Sequence, residues 1–577
     1  MGKRISLDKK EKTILAVAFV IHTMLLFLLS NYSKAMETYA DELVYYDLAK
    51  SMFEGTELQM HGVSLQFSKL AYSFVLLPTF LIGDITARVH VIMLINSLLM
   101  STPIILSYLL CKELNVSRTY SIMAAVLSAF WPDIVISGTF MSENLFFPLS
   151  CLCFYFILLD YKYKKTGYKL IVLALLILAY FTKEVGICLA LSYVATEILS
   201  GIGKKGSRQN LKKPVAIIAF IIAALLCYIT VRYLFFGGFT NTYIIGGALN
   251  FSYYADCHKL LYLLYTIIYY LAAFTLAFYV LPVLMPLINN KKYNPEVRKF
   301  LLYTFLLFIG SILVITVTVT AREDFGKTVP AVHLRYVSQL VVPFSCIFFA
   351  GLSNDDKIEG RDLKLLMPFM IATGLVYKGV YNTCTTGNIA LLYCYPVRKL
   401  IPNIKPFYPV GVTTALIFAV GIILFYLVGK SDKKKAAGIF FAGTLVLSAI
   451  NIVFGLKNVY DTYHVDQELI DEMVLIDDYF KEYRLETTNV AFVDDSQFSK
   501  EAKVYDLYFR SADREYMILS EEVSEGILTE PIWRTIYTPQ QIDFYIVNKN
   551  SSNPLSETGL DTIPELSGSS YIVYKNN

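Results

Sequence analysis

Two adjacent carboxylates, Asp41 and Glu42, stand about ten residues beyond an apolar run, Ile14 to Ser30, that is long enough to cross most of a bilayer. A pair of acids at a membrane edge offers proton transfer, or orientation of a polar reactant. Cations gather further along the chain. Lys183 precedes Glu184, Arg322 stands with Glu323, Asp324 and Lys327, and Arg335 lies within His333-Leu334-Arg335-Tyr336 at the head of an apolar segment. Cations at a membrane edge can hold an anionic head group such as a phosphate through several charge-assisted hydrogen bonds. Glu143 opens another apolar segment, where an acid also relieves the helix dipole. The candidate site is therefore the acids Asp41 and Glu42, with Lys69, Glu143, Lys183, Arg322, His333, Arg335 and Tyr336 as binding residues. Taken singly, each cation serves equally well by snorkelling to lipid phosphates, and Glu143 serves as a plain N-terminal charge. Together with the carboxylates they make a more specific constellation.

The elements that must position these residues are membrane helices. The chain has 577 residues, is 55% hydrophobic and only 17% charged, and its mean hydropathy is +0.51. That is more apolar surface than one soluble core buries, so the class is an α-helical polytopic membrane protein. Thirteen apolar segments can be counted, near 14–30, 85–111, 119–136, 144–160, 169–182, 185–200, 214–236, 260–288, 300–320, 336–352, 365–380, 408–428 and 436–455. A basic leader (Lys3, Arg4, Lys9, Lys10, Lys12) holds the N-terminus in the cytoplasm. The connections 161–168, 201–213, 289–299 and 429–435 then fall inside and carry the lysine clusters, as the positive-inside rule requires. Residues 169–200 are read as two short helices meeting at Lys183-Glu184, because a single long span would put the basic clusters at 162–165 and 204–213 on opposite sides. An odd number of spans sends the tail outside.

The net charge of +4 hides a split. Residues 456–577 hold 10 Lys/Arg against 23 Asp/Glu, and residues 1–455 hold 41 against 24. Loops facing anionic lipid account for the basic part, so membrane lipid is an expected partner and nucleic acid is not. The acidic tail reads as a small α/β unit, with a helix over Asp466 to Tyr483 and strands at Thr488–Val493, Tyr516–Leu519, Ile542–Val547 and Tyr571–Tyr574. The division is 1–455, a membrane domain with its first outer loop at 31–84, and 456–577, a C-terminal extracytoplasmic domain. Leu65 to Ile82 reads as an amphipathic stretch lying along the interface. The cysteines form no CxxC pair and most lie in apolar runs, where a small hydrophobe is expected; Cys384 and Cys394 share one predicted outer loop. Gly201-Ile202-Gly203-Lys204-Lys205-Gly206 matches a nucleotide-loop pattern but follows a membrane helix, not a strand, and is set aside.

A first helix, Asp41-Glu42, then Tyr45-Tyr46-Asp47-Leu48-Ala49 and an interfacial segment ending near Gly83 resemble the opening of C-type glycosyltransferases that use polyprenyl-linked sugars. The nearest members are family 39-like, among them protein O-mannosyltransferases and lipid A aminoarabinose transferases. Ser142-Glu143-Asn144-Leu145-Phe146, Thr182-Lys183-Glu184-Val185-Gly186 and Arg335-Tyr336 with Pro343 extend the resemblance over roughly residues 10–352. It implies a GT-C fold of about 13 transmembrane helices and an inverting transferase in the cell membrane. A sugar would leave a polyprenyl-phosphate carrier at the outer face and pass to a hydroxyl of a glycan, lipid or protein acceptor. Asp41 would be general base with Glu42 as its structural or electrostatic partner, or the reverse. Arg335, Arg322 and Lys183 would stabilise the charge that grows on the leaving phosphate. Two departures stand out. The interfacial stretch lacks the family's proline-rich start, having its proline only at Pro78, and the second outer loop holds Asp133 and Glu143 without a DxD. No metal ligands are assigned, and a divalent cation stays open as cofactor. The alternatives are a transporter or flippase for lipid-linked saccharides, and a polymerase of them. A transporter usually carries internal repeats and midplane ionisable residues, and neither is legible here.

Overall fold

A computed structural model describes residues 7–31, 33–35, 40–60, 63–64, 69–201, 257–317, 333–354, 367–368, 409–485, 487–496, 499–512, 514–520, 542–552, 555–556 and 559–576. Arg322, the expected span 214–236, nearly all of 365–380, and Cys384 and Cys394 lie outside the described residues.

The helices start where the sequence supplies caps. Asp8 and Glu11 form a reciprocal capping box on α1 (Lys9–Ser30), satisfying two amide donors that the first turn leaves open. Asp84 accepts from the Ala87 amide at 2.6 Å to begin α4 (Ile85–Glu113). Between them lie α2 (Ala40–Glu54), a two-strand hairpin β1 (Gln59–Met60) and β2 (Val63–Ser64), and α3 (Ala71–Leu76), which runs on as a 3-10 turn over Leu77–Leu81. Ala71, Tyr72, Ser73 and Leu76 are buried, while Phe74 and Leu81 are exposed. One side of this stretch faces protein and the other presents exposed apolar side chains.

The bundle continues with α5 (Arg118–Ala129), α6 (Glu143–Tyr163), α7 (Thr166–Thr182), α8 (Gly186–Gly201), α9 (Cys257–Ala277), α10 (Leu281–Ile288), α11 (Pro295–Ile315), α12 (Val341–Asn354), α13 (Pro409–Ser431) and α14 (Lys433–Tyr463). Among the described residues six helices are long and apolar enough to cross a membrane, and shorter apolar helices stand beside them. The chain is a multi-pass membrane protein.

Three expected spans are not single straight helices. The segment 119–136 bends by 47° after Ala129 and continues as a 3-10 turn, Pro132–Gly138. Pro132 supplies no amide to carry the helix through. The segment 260–288 breaks where Tyr279 and Val280 both take φ near +60°, a conformation costly for a β-branched residue. Trp131 stacks on Phe278 at 5.4 Å and meets Tyr279 edge-on at 6.1 Å, which packs that break into the core. The segment 336–352 is entered through 3-10 turns at Leu334–Tyr336 and Ser338–Leu340. Between α7 and α8 the chain turns tightly: a Cβ on Gly186 would collide with the Ala179 carbonyl oxygen. Glycine is the residue that permits this approach.

Beyond Tyr463 come α15 (Gln467–Glu482), β3 (Asn489–Asp494), α16 (Lys500–Tyr508), β4 (Arg514–Leu519), β5 (Phe544–Asn548), β6 (Asp561–Thr562) and β7 (Tyr571–Lys575). The sheet order is β4-β3-β5-β7-β6, with β3 parallel to both β4 and β5, and β7 antiparallel to β5 and β6. Parallel neighbours need a crossover, and α16 provides the one from β3 to β4. Leu43, Val44 and Leu48 of α2 share one apolar core with Met473, Ile476, Phe480, Phe492 and Phe544 of the tail. Burial of that continuous surface seats the tail on α2.

Candidate active site

The site grows from the start of α6. Asn144 donates to the carbonyls of Ile136, Thr139 and Met141 at 3.2, 2.9 and 3.0 Å. Asn96 of α4 donates to the Thr139 carbonyl at 2.9 Å, and its own oxygen accepts from the Tyr72 hydroxyl at 2.9 Å. These bonds satisfy buried carbonyls in the irregular chain between the 3-10 turn and α6, and so fix the position of Glu143.

Glu143 is buried, and two cations converge on its Oε1: Lys183 Nζ at 2.5 Å and Arg335 Nε at 3.5 Å. Its Oε2 is also buried and takes no hydrogen bond from the described residues. Tyr336 lies against both cations. Lys183 Nζ sits 4.5 Å from its ring centroid and the Arg335 guanidinium carbon 5.1 Å, while Arg335 Nη2 donates to its hydroxyl at 3.3 Å. The His333 ring lies 5.9 Å from that of Tyr336. Lys183, in the turn between α7 and α8, is pushed below its ordinary value by burial, against the opposing pull of Glu143.

Asp41, in the first turn of α2, is half-buried. Its charge reaches this cluster: it acts on Lys183, Glu184, Tyr45 and Tyr336. Tyr45 is held well above its ordinary value by burial and then by Asp41, and its hydroxyl donates to Ser142 Oγ at 2.9 Å. Burial also raises Glu184; Lys69 works against the shift and Asp41 with it. Lys69 is buried with its Nζ 3.5 Å from the Tyr180 ring centroid.

Of the residues singled out from sequence, Glu143, Lys183, Arg335, Tyr336 and His333 therefore come together, with Asp41 in electrostatic reach. Lys69 stands beside Tyr180 and within electrostatic reach of Glu184. Glu42 points elsewhere. It is fully buried, and its Oε1 accepts from the Phe140 amide at 3.2 Å and the Tyr463 hydroxyl at 2.9 Å. Asp133 accepts from Trp131 Nε1 at 3.3 Å and from the Ser338 hydroxyl, so it joins the bent span to the turn before α12. Among the described residues no three His, Cys, Asp or Glu side chains converge on a point that would hold a metal ion. Local sequence does not single out the hydroxyl of Tyr45 or the ring of Tyr180 as parts of the site. Tyr45 does lie one helical turn from Asp41, which was the available signal.

No family model and no curated protein matches the chain. Its fold is that of the C-type glycosyltransferases. Among solved structures it is similar to ArnT from Cupriavidus metallidurans bound to undecaprenyl phosphate, with a TM-score of 0.53 at 12% identity over 97% of this chain and 98% of that one. ArnT from the same organism in the apo state gives 0.50 at 12% identity, over 98% of each chain. At such identity the likeness is one of fold, and the chemistry must come from the side chains.

Proposed function

We propose that this protein is a membrane glycosyltransferase that moves a sugar from a polyprenyl-phosphate carrier to an acceptor hydroxyl at the outer face of the membrane, with inversion. The observation that carries the reading is the convergence of Lys183 and Arg335 on Glu143, within electrostatic reach of the half-buried carboxylate of Asp41. The match of ArnT bound to undecaprenyl phosphate over nearly the whole chain supports the carrier class.

In this reading Asp41 takes the proton of the acceptor hydroxyl as its oxygen bonds the anomeric carbon. The bond from that carbon to the phosphate oxygen breaks, and its electron pair stays on the phosphate. Arg335 and Lys183 meet that growing charge, with Arg322 as a further candidate, so they stabilise the transition state more than the ground state. Glu143 holds the two cations apart and aimed, and its Oε2 can accept from a sugar hydroxyl. Tyr336 and His333 offer aromatic faces beside the phosphate, and Lys69 with Glu184 lines the approach from α3. Glu42 is a structural partner that anchors α2, so the general base is Asp41. Residues 1–455 form the transferase unit with a cytoplasmic N-terminus, and 456–577 an extracytoplasmic unit above it.

The test is Asp41→Asn, which keeps shape but cannot take a proton. It should lower transfer by about 10²–10⁴-fold with expression intact. Glu42→Gln should instead lower thermal stability, since its anchoring bonds weaken. Near wild-type turnover in Asp41→Asn would overturn the assignment.

A further inference from the structure

Asp47 lies six residues beyond Asp41 on α2, about 9 Å along the axis and about a third of a turn round it. Its buried Oδ1 is 2.9 Å from Nη1 of Arg510 in the tail, and Glu515 lies 3.9 Å from the same nitrogen. The rest of Arg510 is fixed by its own segment. Nε donates to the Leu507 carbonyl at 3.3 Å, Nη2 to the Asp506 carbonyl, and the backbone amide to Asp477 Oδ1 at 2.6 Å. Nη1 is the arm of the fork that reaches out of the tail to α2. The guanidinium also lies 5.4 Å from the ring centroid of Tyr46, whose hydroxyl accepts from Arg88 of α4 at 2.7 Å.

The apolar core shared by α2 and the tail is non-directional, so it sets depth of burial without fixing how α2 is turned. Directional contacts do that. Glu42 is tied to Phe140 and Tyr463, Tyr45 to Ser142, and Asp47 to Arg510. Of these ties, the Arg510 pair joins two charges largely withdrawn from solvent, with side chains 10% exposed at Arg510 and 4% at Asp47, and a planar guanidinium held on two sides allows little freedom to its third.

We propose that Arg510 is a positioning residue for sugar transfer: through Asp47 the tail fixes the rotation of α2 and hence the aim of Asp41 at the Lys183–Glu143–Arg335 cluster. The catalytic consequence rests on the transferase reading above, and the clamp itself on geometry alone.

The experiment uses the full chain in lipid nanodiscs, comparing wild type with Arg510→Gln, Arg510→Lys and Ile518→Ala. Ile518 is buried on the opposite face of the sheet with Val493 and Val547, so its truncation loosens the tail without touching α2. Hydrogen exchange across residues 43–52 should rise about tenfold in Arg510→Gln, less in Arg510→Lys, and remain at the wild-type rate in Ile518→Ala. Transfer is assayed with polyprenyl-phosphate lipids and acceptor glycolipids extracted from the protein's own cells. In Arg510→Gln kcat should fall about tenfold or more with the KM for the carrier unchanged, and Arg510→Lys should recover part of it. The clamp is refuted if α2 exchanges in Arg510→Gln as in wild type, or loosens equally in Ile518→Ala. The positioning role is refuted if kcat holds or only KM rises. A wild-type protein that transfers no sugar would sink the transferase reading and the catalytic half of this proposal, while exchange still decides the clamp.

Discussion

Glu143→Gln keeps the shape of the side chain and deletes the charge that Lys183 and Arg335 share. The pairs are 2.5 and 3.5 Å long, and the Glu143 and Lys183 side chains are only 5% and 9% exposed. With charge centres roughly 4 Å apart and an effective dielectric near 20, each attraction is about 4 kcal/mol. Desolvation of the charges offsets much of that, but removing one member of a buried group leaves the others uncompensated, at a cost of about 3–5 kcal/mol. The melting temperature should drop. A phosphate can then take the vacated role between the two cations, so undecaprenyl phosphate should stabilise the variant more than the wild type and bind it more tightly. Turnover should nevertheless fall, because the added affinity is for ground state and product as much as for the transition state. Lys183→Met in the Glu143→Gln background should restore part of the stability, since one lone cation is less costly than two. Thermal unfolding in nanodiscs with and without undecaprenyl phosphate, beside a binding titration, reads all of this. Equal melting temperatures and equal ligand-induced shifts in wild type and Glu143→Gln would refute the reasoning.

Three further outcomes are expected. Arg335→Lys should transfer sugar more slowly than wild type despite keeping its charge, because a planar fork grips phosphate with two bonds; equal initial rates would reduce Arg335 to a snorkelling residue. A cysteine at Tyr483, exposed in the tail, should react with an impermeant thiol reagent on intact cells in a cysteine-free background, and protection equal to that of a cysteine at Lys164 would reverse the topology. Because burial lowers the Lys183 value, its charge is lost at a lower pH than that of an exposed lysine, so affinity for undecaprenyl phosphate should fall as pH rises through a midpoint below the ordinary lysine range. In that same window the unfolded chain holds the proton more tightly, so this group's contribution makes the fold more stable as pH rises. Lys183→Arg should remove the affinity decline, and an unchanged pH profile in that variant would acquit Lys183.

The parts of the fold that were legible are those written in local pattern. The break at Lys183-Glu184 follows from charge sidedness and lies between α7 and α8, and α15 and four of the tail strands fall on the periodic segments. The break at Tyr279–Val280 was not legible, because it interrupts an unbroken apolar run and is paid for by aromatic packing from Trp131. The 3-10 turn after Ala129 did carry a local sign in Trp131-Pro132. Helix α2 is buried without interruption over residues 42–49 by partners far away in sequence, which no local periodicity reveals, so its acids read as a polar loop. Glu42 illustrates the limit: it is adjacent to Asp41, also a carboxylate, and set apart from it in surroundings by hydrogen bonds to Phe140 and Tyr463 that no local spacing encodes. The Asp47–Arg510 pair is illegible for the same reason. Glu143, Lys183 and Arg335 were legible as residue types at helix ends, and their convergence is a tertiary fact.

Mass spectrometry of polyprenyl-phosphate lipids and surface glycans tests the central claim most directly, in cells carrying the wild-type chain, the Asp41→Asn chain, or none. The account predicts that one polyprenyl-phosphate sugar accumulates and the same sugar disappears from one surface acceptor, both in cells without the chain and in cells with Asp41→Asn. Lipid and glycan profiles unchanged by loss of the chain, or restored by Asp41→Asn, would contradict it.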